Sequence, residues 1–301
     1  MQTSESTVRA NGIDIAFDTF GDRDCTPMVL IMGLSSQMII WEDDFCSRLA
    51  AKGFWVIRFD NRDVGNSTRL DVMGMPRFRD ILNGVQTGMP YTLDDMAEDT
   101  TGLLDALDIE SAHIVGASMG GMIAQILATE KPERVRTLTI IMSSTGNPLL
   151  PPPKPEAVQY LFLPFPTQRD DYIDHFIRMW KILNGNELPM DDERLMELAE
   201  RTFERGVSPV ASARQFAAIL ASGSRKESLA SIQAPTLVIH GERDPLLPLE
   251  CGIDVARSIP GSRLKIIPGM GHAMPPVVWR EVIDVIAEHA QTKRPTRDGK
   301  P

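Results

Sequence analysis

Residues 112–130 read AHIVGASMGGMIAQILATE, and this stretch decides the fold. The apolar run AHIVG at 112–116 is typical of a buried strand, and the stretch after Met119 has the composition of a helix. Between them, Gly116 and Gly120 flank Ser118 in the pattern Gly-x-Ser-x-Gly, which is that of a nucleophile elbow. The glycines would relieve crowding in a sharp turn. The pattern predicts that Ser118 is presented at the carboxyl edge of a sheet.

The same pattern has a plainer interpretation, because a turn between a strand and a helix can require glycines without any chemistry. A catalytic serine needs a base to remove its proton and a carboxylate to orient that base. His272 lies in IPGMGHAMP, a glycine-rich loop between the last predicted strand and the last predicted helix. We therefore predict that His272 is the base. The other histidines are interpreted as structural or solvated, although His240 could reach the site: His113, His175, His240 and His289.

The carboxylate is expected on the loop that follows the strand TLVIH, where HGERDPLLP contains Asp244. An Asp-Pro pair can also simply form a turn. The chain order Ser118, Asp244, His272 is the one expected when the serine lies on a nucleophile elbow. It therefore favours Asp244 as the carboxylate that orients His272. Glu242 is the fallback carboxylate, because no acidic residue follows the strand TLTIIMSS.

An oxyanion hole needs two backbone N–H groups near the nucleophile. The N–H of Met119 lies at a helix N-terminus, where the helix dipole favours negative charge. The loop IMGLSSQMIIW after the first predicted parallel strand supplies Gly33, whose lack of a side chain permits close approach, and Leu34 as the second donor. Gly33 could alternatively just end the strand.

Strands and helices alternate along most of the chain, which predicts a mainly parallel sheet with helices on both faces. Asn11-Gly12 predicts a tight hairpin turn before this alternation begins. The alternation stops over 147–231, where prolines and two helical patterns occur without a strand. We predict a core domain formed by 1–146 and 232–301 and a helical insertion at 147–231. The charged tail 291–301 is predicted to be disordered.

Composition limits the function further. The 301 residues carry a formal charge of −10, which disfavours nucleic acid and anionic membranes as partners. No run of apolar residues is long enough to span a bilayer, and the polar N-terminus does not look like a secretory signal, so a cytoplasmic location is expected. Three dispersed cysteines argue against a disulfide framework or a thiolate metal site. Nucleotide-binding glycine motifs are absent from the sequence.

Five stretches together resemble the α/β-hydrolase superfamily over about residues 8–290: IMGLSSQMIIW, VIRFDNRDVGNST, GASMGG, PTLVIHGERDP and IPGMGHAMP. Within it they look similar to the aclacinomycin methylesterase group of bacterial serine esterases. This resemblance implies an eight-stranded sheet, a helical cap after the sixth strand, no cofactor and no metal, and the hydrolysis of carboxylic esters. One departure is Met32-Gly33, where the superfamily usually has His-Gly; the backbone donor survives that change.

The sequence therefore predicts a serine hydrolase that cleaves small-molecule esters through an acyl-enzyme, with Ser118, Asp244 and His272 as the catalytic residues. A C–C bond hydrolase or a perhydrolase-type haloperoxidase would use the same three residues. A non-catalytic ligand-binding protein of the same fold is a further alternative. A haloalkane dehalogenase is excluded because its nucleophile is acidic. The sequence leaves open whether the chain is a monomer or a homodimer.

Overall fold

A computed structural model describes residues 2–83, 89–162 and 166–292. Its centre is one eight-stranded sheet in the order β1-β2-β4-β3-β5-β6-β7-β8. The first two strands and the β2–β4 pair are antiparallel, and every later neighbouring pair is parallel. The strands are β1 (Ser6–Ala10), β2 (Ile13–Phe20), β3 (Thr26–Ile31), β4 (Phe54–Phe59), β5 (Ala112–Ala117), β6 (Val135–Ile141), β7 (Thr236–Gly241) and β8 (Arg263–Ile267).

Helices follow most strands. In chain order they are α1 (Asp43–Ala50), α2 (Phe78–Leu82), α3 (Leu93–Ala106), α4 (Met119–Glu130), α5 (Pro155–Phe162), α6 (Arg169–Asn184), α7 (Asp192–Glu204), α8 (Pro209–Ser222), α9 (Leu249–Ser258) and α10 (Pro276–Ala290). None of them, within the described ranges, is long and apolar enough to cross a lipid bilayer. Residues 293–301 of the predicted disordered tail lie outside the described residues.

Local sequence explains several boundaries. Asn11 and Gly12 both have positive φ, at 45° and 77°, which a primed two-residue hairpin turn requires. Thr92 begins α3 through a capping box, in which its hydroxyl accepts from the N–H of Asp95 and the Asp95 carboxylate accepts from the N–H of Thr92. These signals fix where the antiparallel edge turns and where α3 starts.

The apolar core lies on both faces of the sheet. Alternate residues of β3 separate onto the two faces, with Val29 and Ile31 on one and Met28 and Leu30 on the other. Helices α3, α4 and α9 cover the first face, and α1 and α10 cover the second. This arrangement confirms the predicted mostly parallel sheet between two helical layers.

Helices α5 to α8 all lie between β6 and β7, in the segment predicted to interrupt the alternation. Two arginines tie this segment to the loop after β4. Arg205, after α7, pairs with Asp60, and Arg214 on α8 pairs with Asp63 at 2.7 Å. The side chains of Arg214 and Asp63 are both fully buried, so water cannot solvate either charge if the other is removed.

Candidate active site

Ser118 lies at the junction of β5 and α4 with φ 55° and ψ −118°, a left-handed conformation that non-glycine residues rarely adopt. Neighbouring backbone explains the glycines. A Cβ on Gly116 would overlap the carbonyl oxygen of Gly120, and one on Gly120 would overlap that of Ile31. The turn is therefore as sharp as the sequence pattern predicts. Strain of this kind, worth about 1–3 kcal/mol, persists only where surrounding structure enforces it.

Two hydrogen bonds from the end of β6 and the residues after it hold the Ser118 backbone in this conformation. The N–H of Ser118 donates to the carbonyl oxygen of Ile141 at 2.9 Å, and the hydroxyl of Ser143 donates to the carbonyl oxygen of Ser118 at 2.7 Å. Sequence reasoning missed Ser143. The available signal was its position two residues after β6, the strand next to β5, because the carboxyl ends of neighbouring parallel strands meet at one edge.

The structure brings Ser118, His272 and Asp244 together. The His272 Nε2 lies 3.0 Å from the Ser118 Oγ, and the Nδ1 lies 2.7 Å from the Asp244 Oδ2. The other oxygen of Asp244 accepts hydrogen bonds from the backbone N–H groups of Leu246 and Leu247, at 2.9 and 2.8 Å. A carboxylate held in this way can accept a hydrogen bond from the Nδ1–H of His272, which leaves Nε2 without a proton and able to accept one from the serine.

The loop that carries His272 rests on the end of α6. The backbone N–H of His272 donates to the carbonyl oxygen of Leu183 at 2.7 Å. Gly271 allows this approach, because a Cβ there would overlap the carbonyl oxygens of Leu183 and Asn184. The position of the imidazole therefore depends on a helix from the 147–231 segment, a contact that the sequence pattern did not indicate.

Gly33 brings the predicted oxyanion loop against the nucleophile. A Cβ on Gly33 would lie 3.1 Å from the Cβ of Ser118, so only a residue without a side chain fits easily. Within the described ranges, the backbone N–H groups of Leu34 and Met119 have no hydrogen-bond acceptor. Two donors without partners beside a serine are what an oxyanion hole requires.

The remaining histidines lie away from the Ser118 hydroxyl. His113 contacts the Thr137 hydroxyl at 2.8 Å, and burial lowers its pKa to about 4. His240 is fully buried with its Nε2 2.7 Å from the carbonyl oxygen of Leu247, and burial lowers its pKa although Asp244 opposes that shift. His175 is on α6, and His289 contacts backbone carbonyls of Leu138 and Pro235.

The fallback carboxylate, Glu242, contacts the backbone N–H of Gly269 at 3.3 Å and does not contact His272. The structure therefore brings Asp244, and not Glu242, to the imidazole.

A cavity of about 290 Å³ opens beside Ser118. Its walls are mainly apolar and come from both the sheet edge and the segment between β6 and β7. Seven methionines share the lining: Met32, Met119, Met122, Met142, Met179, Met190 and Met274. Apart from His272, the ionisable side chains in the described lining are Glu42 and Arg194, which form an ion pair with each other.

No group of three or more His, Cys, Asp or Glu side chains in residues 2–83, 89–162 and 166–292 is arranged to hold a metal ion.

The α/β-hydrolase class is defined by three features together: a mainly parallel sheet, a serine at a nucleophile elbow, and an aspartate and a histidine on the loops after later strands. The chain belongs to the alpha/beta hydrolase fold family, whose model matches residues 26–276.

Among its relatives, rhodomycin D methylesterase DauP from Streptomyces sp. (strain C5) is 31% identical over 304 residues, covering 90% of this chain and 93% of the relative. A 2-hydroxymuconate semialdehyde hydrolase from Pseudomonas sp. (strain CF600) is 32% identical over 193 residues, covering 60% of this chain and 62% of that protein. The crystal structure of the enol-lactonase from Burkholderia xenovorans LB400 superposes with a TM-score of 0.71 at 20% identity, covering 95% of this chain and all of that one, and is alike in fold. The family match and the methylesterase relative confirm the predicted family and the predicted class of enzyme, a carboxylic ester hydrolase.

Proposed function

We propose that this chain is a serine esterase that hydrolyses small-molecule carboxylic esters through an acyl-enzyme. The observation that carries the proposal is the continuous contact from Asp244 through His272 to the Ser118 Oγ, at 2.7 and 3.0 Å, on the wall of an apolar cavity. Each member has the partner that its role requires. The two unpartnered N–H groups of Leu34 and Met119 support the same assignment.

In the proposed mechanism, the Ser118 Oγ attacks the ester carbonyl while His272 Nε2 accepts the hydroxyl proton. Asp244 keeps the imidazole in the tautomer that can accept at Nε2 and stabilises the imidazolium that forms. The N–H groups of Leu34 and Met119 stabilise the tetrahedral oxyanion. His272 then gives its proton to the departing alcohol, and a water molecule repeats the same steps to release the acid and restore Ser118.

We further propose that residues 147–231 form a cap over the site. Support comes from the cavity lining, to which α6 contributes Trp180 and Leu183 and α7 contributes Leu195 and Leu198. A cap of this kind excludes water and strengthens the electrostatic interactions beneath it.

The cavity favours an uncharged, largely apolar ester as substrate. Its described lining holds one arginine, Arg194, and Glu42 neutralises it, so a substrate carboxylate would find no free cation there. The methyl ester named in the methylesterase relative is compatible with such a pocket. The methionine side chains are unbranched and adaptable, which suits a bulky and irregular acid portion.

The test is turnover of p-nitrophenyl esters by the wild type and by Ser118→Ala. Loss of the nucleophile should lower kcat by at least roughly 10³-fold, since the three residues act as a unit. Activity of the variant within tenfold of the wild type would contradict the proposal. Labelling of the wild type, but not of the variant, by a fluorophosphonate probe would report the reactive serine independently of substrate choice.

A C–C bond hydrolase is the second candidate, because the 2-hydroxymuconate semialdehyde hydrolase relative aligns with 60% of this chain at 32% identity. Its named substrate carries a carboxylate, and the neutralised Arg194 argues against such a substrate here. A panel of methyl esters of bulky acids, p-nitrophenyl esters of increasing length and meta-cleavage dienoates separates the two. Turnover of the dienoates alone would favour the second candidate.

A further inference from the structure

The oxyanion loop carries a strained residue next to its proposed donor. Ser35, which follows Leu34, has φ 59°, in the left-handed region. This conformation costs a residue with a Cβ about 1–2 kcal/mol. The peptide that joins Leu34 to Ser35 would relax if nothing held it, and the direction of the neighbouring Leu34 N–H would change with it.

Gln215 on α8 holds that peptide. Its side-chain oxygen accepts a hydrogen bond from the Ser35 N–H at 2.8 Å, and its side-chain nitrogen donates to the carbonyl oxygen of Arg62 at 2.8 Å. The orientation of the amide is unambiguous, because a backbone N–H can only donate and a carbonyl can only accept. Gln215 is fully buried, so water cannot replace either bond.

Both ends of this bridge are themselves fixed. Arg62 forms a buried ion pair with Asp99 at 2.6 Å, and the adjacent Arg214 pairs with the buried Asp63. On the other side of Ser35, the Asn61 side chain donates to the carbonyl oxygen of Met32 at 2.9 Å. The strained peptide is therefore held between the loop after β4 and helix α8.

We propose that Gln215 is a positioning residue that keeps the Leu34 N–H aligned for the transition state, an inference that depends on the esterase function proposed above. Gln215 does not contact the reacting atoms in this assignment; it acts through the Ser35 peptide. Removing an oxyanion donor outright typically costs about 10²–10³ in kcat. A misaligned donor should cost part of that factor, roughly 10- to 100-fold.

The decisive measurement compares substrate with a trifluoromethyl ketone. The Ser118 Oγ adds to the ketone carbon, its proton passes to His272, and the former carbonyl oxygen becomes an oxyanion. Gln215→Met removes both hydrogen bonds with little change in shape, and Gln215→Glu retains an acceptor for Ser35 but loses the donor to Arg62. We expect kcat and the affinity for the ketone to fall by a similar factor in Gln215→Met, with KM within about threefold of wild type. Gln215→Glu should be impaired less.

Gln125→Met is the matched control, because Gln125 is also fully buried and also makes two hydrogen bonds: its amide donates to the carbonyl oxygen of Ser144 and accepts from the Arg225 guanidinium, away from the oxyanion loop. Active-site titration with a fluorophosphonate corrects each rate for the folded, reactive fraction. If Gln215 only fastens α8, both glutamine-to-methionine variants will lose thermal stability while kcat per titrated site and ketone affinity stay at wild-type values, and the proposal is overturned.

Should Gln215→Met not fold, Gln215→Glu decides by the same readouts. A wild type that neither turns over esters nor binds the ketone would contradict the esterase proposal itself. Unchanged variants of an active wild type would contradict only the role of Gln215.

Discussion

The backbone N–H of His272 donates a 2.7 Å hydrogen bond to the carbonyl oxygen of Leu183, so the proposed base is anchored to the last turn of α6. The contact needs Gly271, which has no side chain to separate the loop from the helix. The placement of the imidazole thus depends on a helix that is about ninety residues away in the chain.

Gly271→Ala tests this dependence. The new methyl group would overlap the carbonyl oxygens of Leu183 and Asn184, so the His272 loop must move away from α6. Overpacking of this kind costs about 1–3 kcal/mol of stability. We expect kcat/KM for a p-nitrophenyl ester to fall at least roughly tenfold. Gly185→Ala is the control, since a Cβ there would meet no atom within 4 Å and only the φ of 72° is unfavourable; it should lose stability and retain kcat/KM. Equal kcat/KM in the two variants would refute the anchoring role.

Asp244→Asn tests the orientation of the imidazole. The substitution retains an oxygen for the N–H groups of Leu246 and Leu247 but presents an amide to His272, which favours the wrong tautomer. By analogy with the same change in other serine hydrolases, kcat should fall by about 10⁴. Glu242→Gln alters the fallback carboxylate, which contacts Gly269, and should remain within about twofold of wild type. Steady-state kinetics check both, and a comparable loss in Glu242→Gln would reverse the assignment.

His113 provides a prediction about stability and pH. Burial lowers its folded-state pKa from 6.5 to about 4, so between these values the unfolded chain binds a proton that the folded chain does not. Its contribution to stability is complete above pH 6.5 and is lost as the pH falls toward 4. The size is about 3 kcal/mol at most. Denaturant unfolding of the wild type and His113→Asn should give a free-energy difference that shrinks on acidification. Parallel curves from pH 7.5 to 4.5 would contradict this account.

Much of the fold could be predicted because its signals are local. The alternation of strands and helices and the Asn11-Gly12 turn both depend on neighbouring residues, and the structure has each of them where the sequence indicates. Helices α5 and α8 were not predicted individually, because prolines obscure the start of the first and the alanine-rich second has little apolar periodicity.

The candidate site likewise contains residues that the sequence could indicate and residues that it could not. Ser118, Asp244 and His272 could be proposed because each lies on a loop that follows a recognisable strand. Ser143 and Gln215 could not, because their contacts join segments that are distant in the chain, and neither residue type is unusual at its position. Pairings of this kind follow from the packing of α8 and the sheet edge, which no local pattern encodes.

The four residues from Asp60 to Asp63 each hold a different part of the chain. Asp60 pairs with Arg205, Asn61 with the Met32 carbonyl, Arg62 with Asp99 and Asp63 with Arg214. The helices of 147–231 are consequently not an interchangeable module, although they occupy one continuous insertion. Replacing these helices with those of a related enzyme would change the pocket wall and would also break the Arg205–Asp60 and Arg214–Asp63 pairs. Residues 60–63 would have to be replaced together with the helices to avoid this.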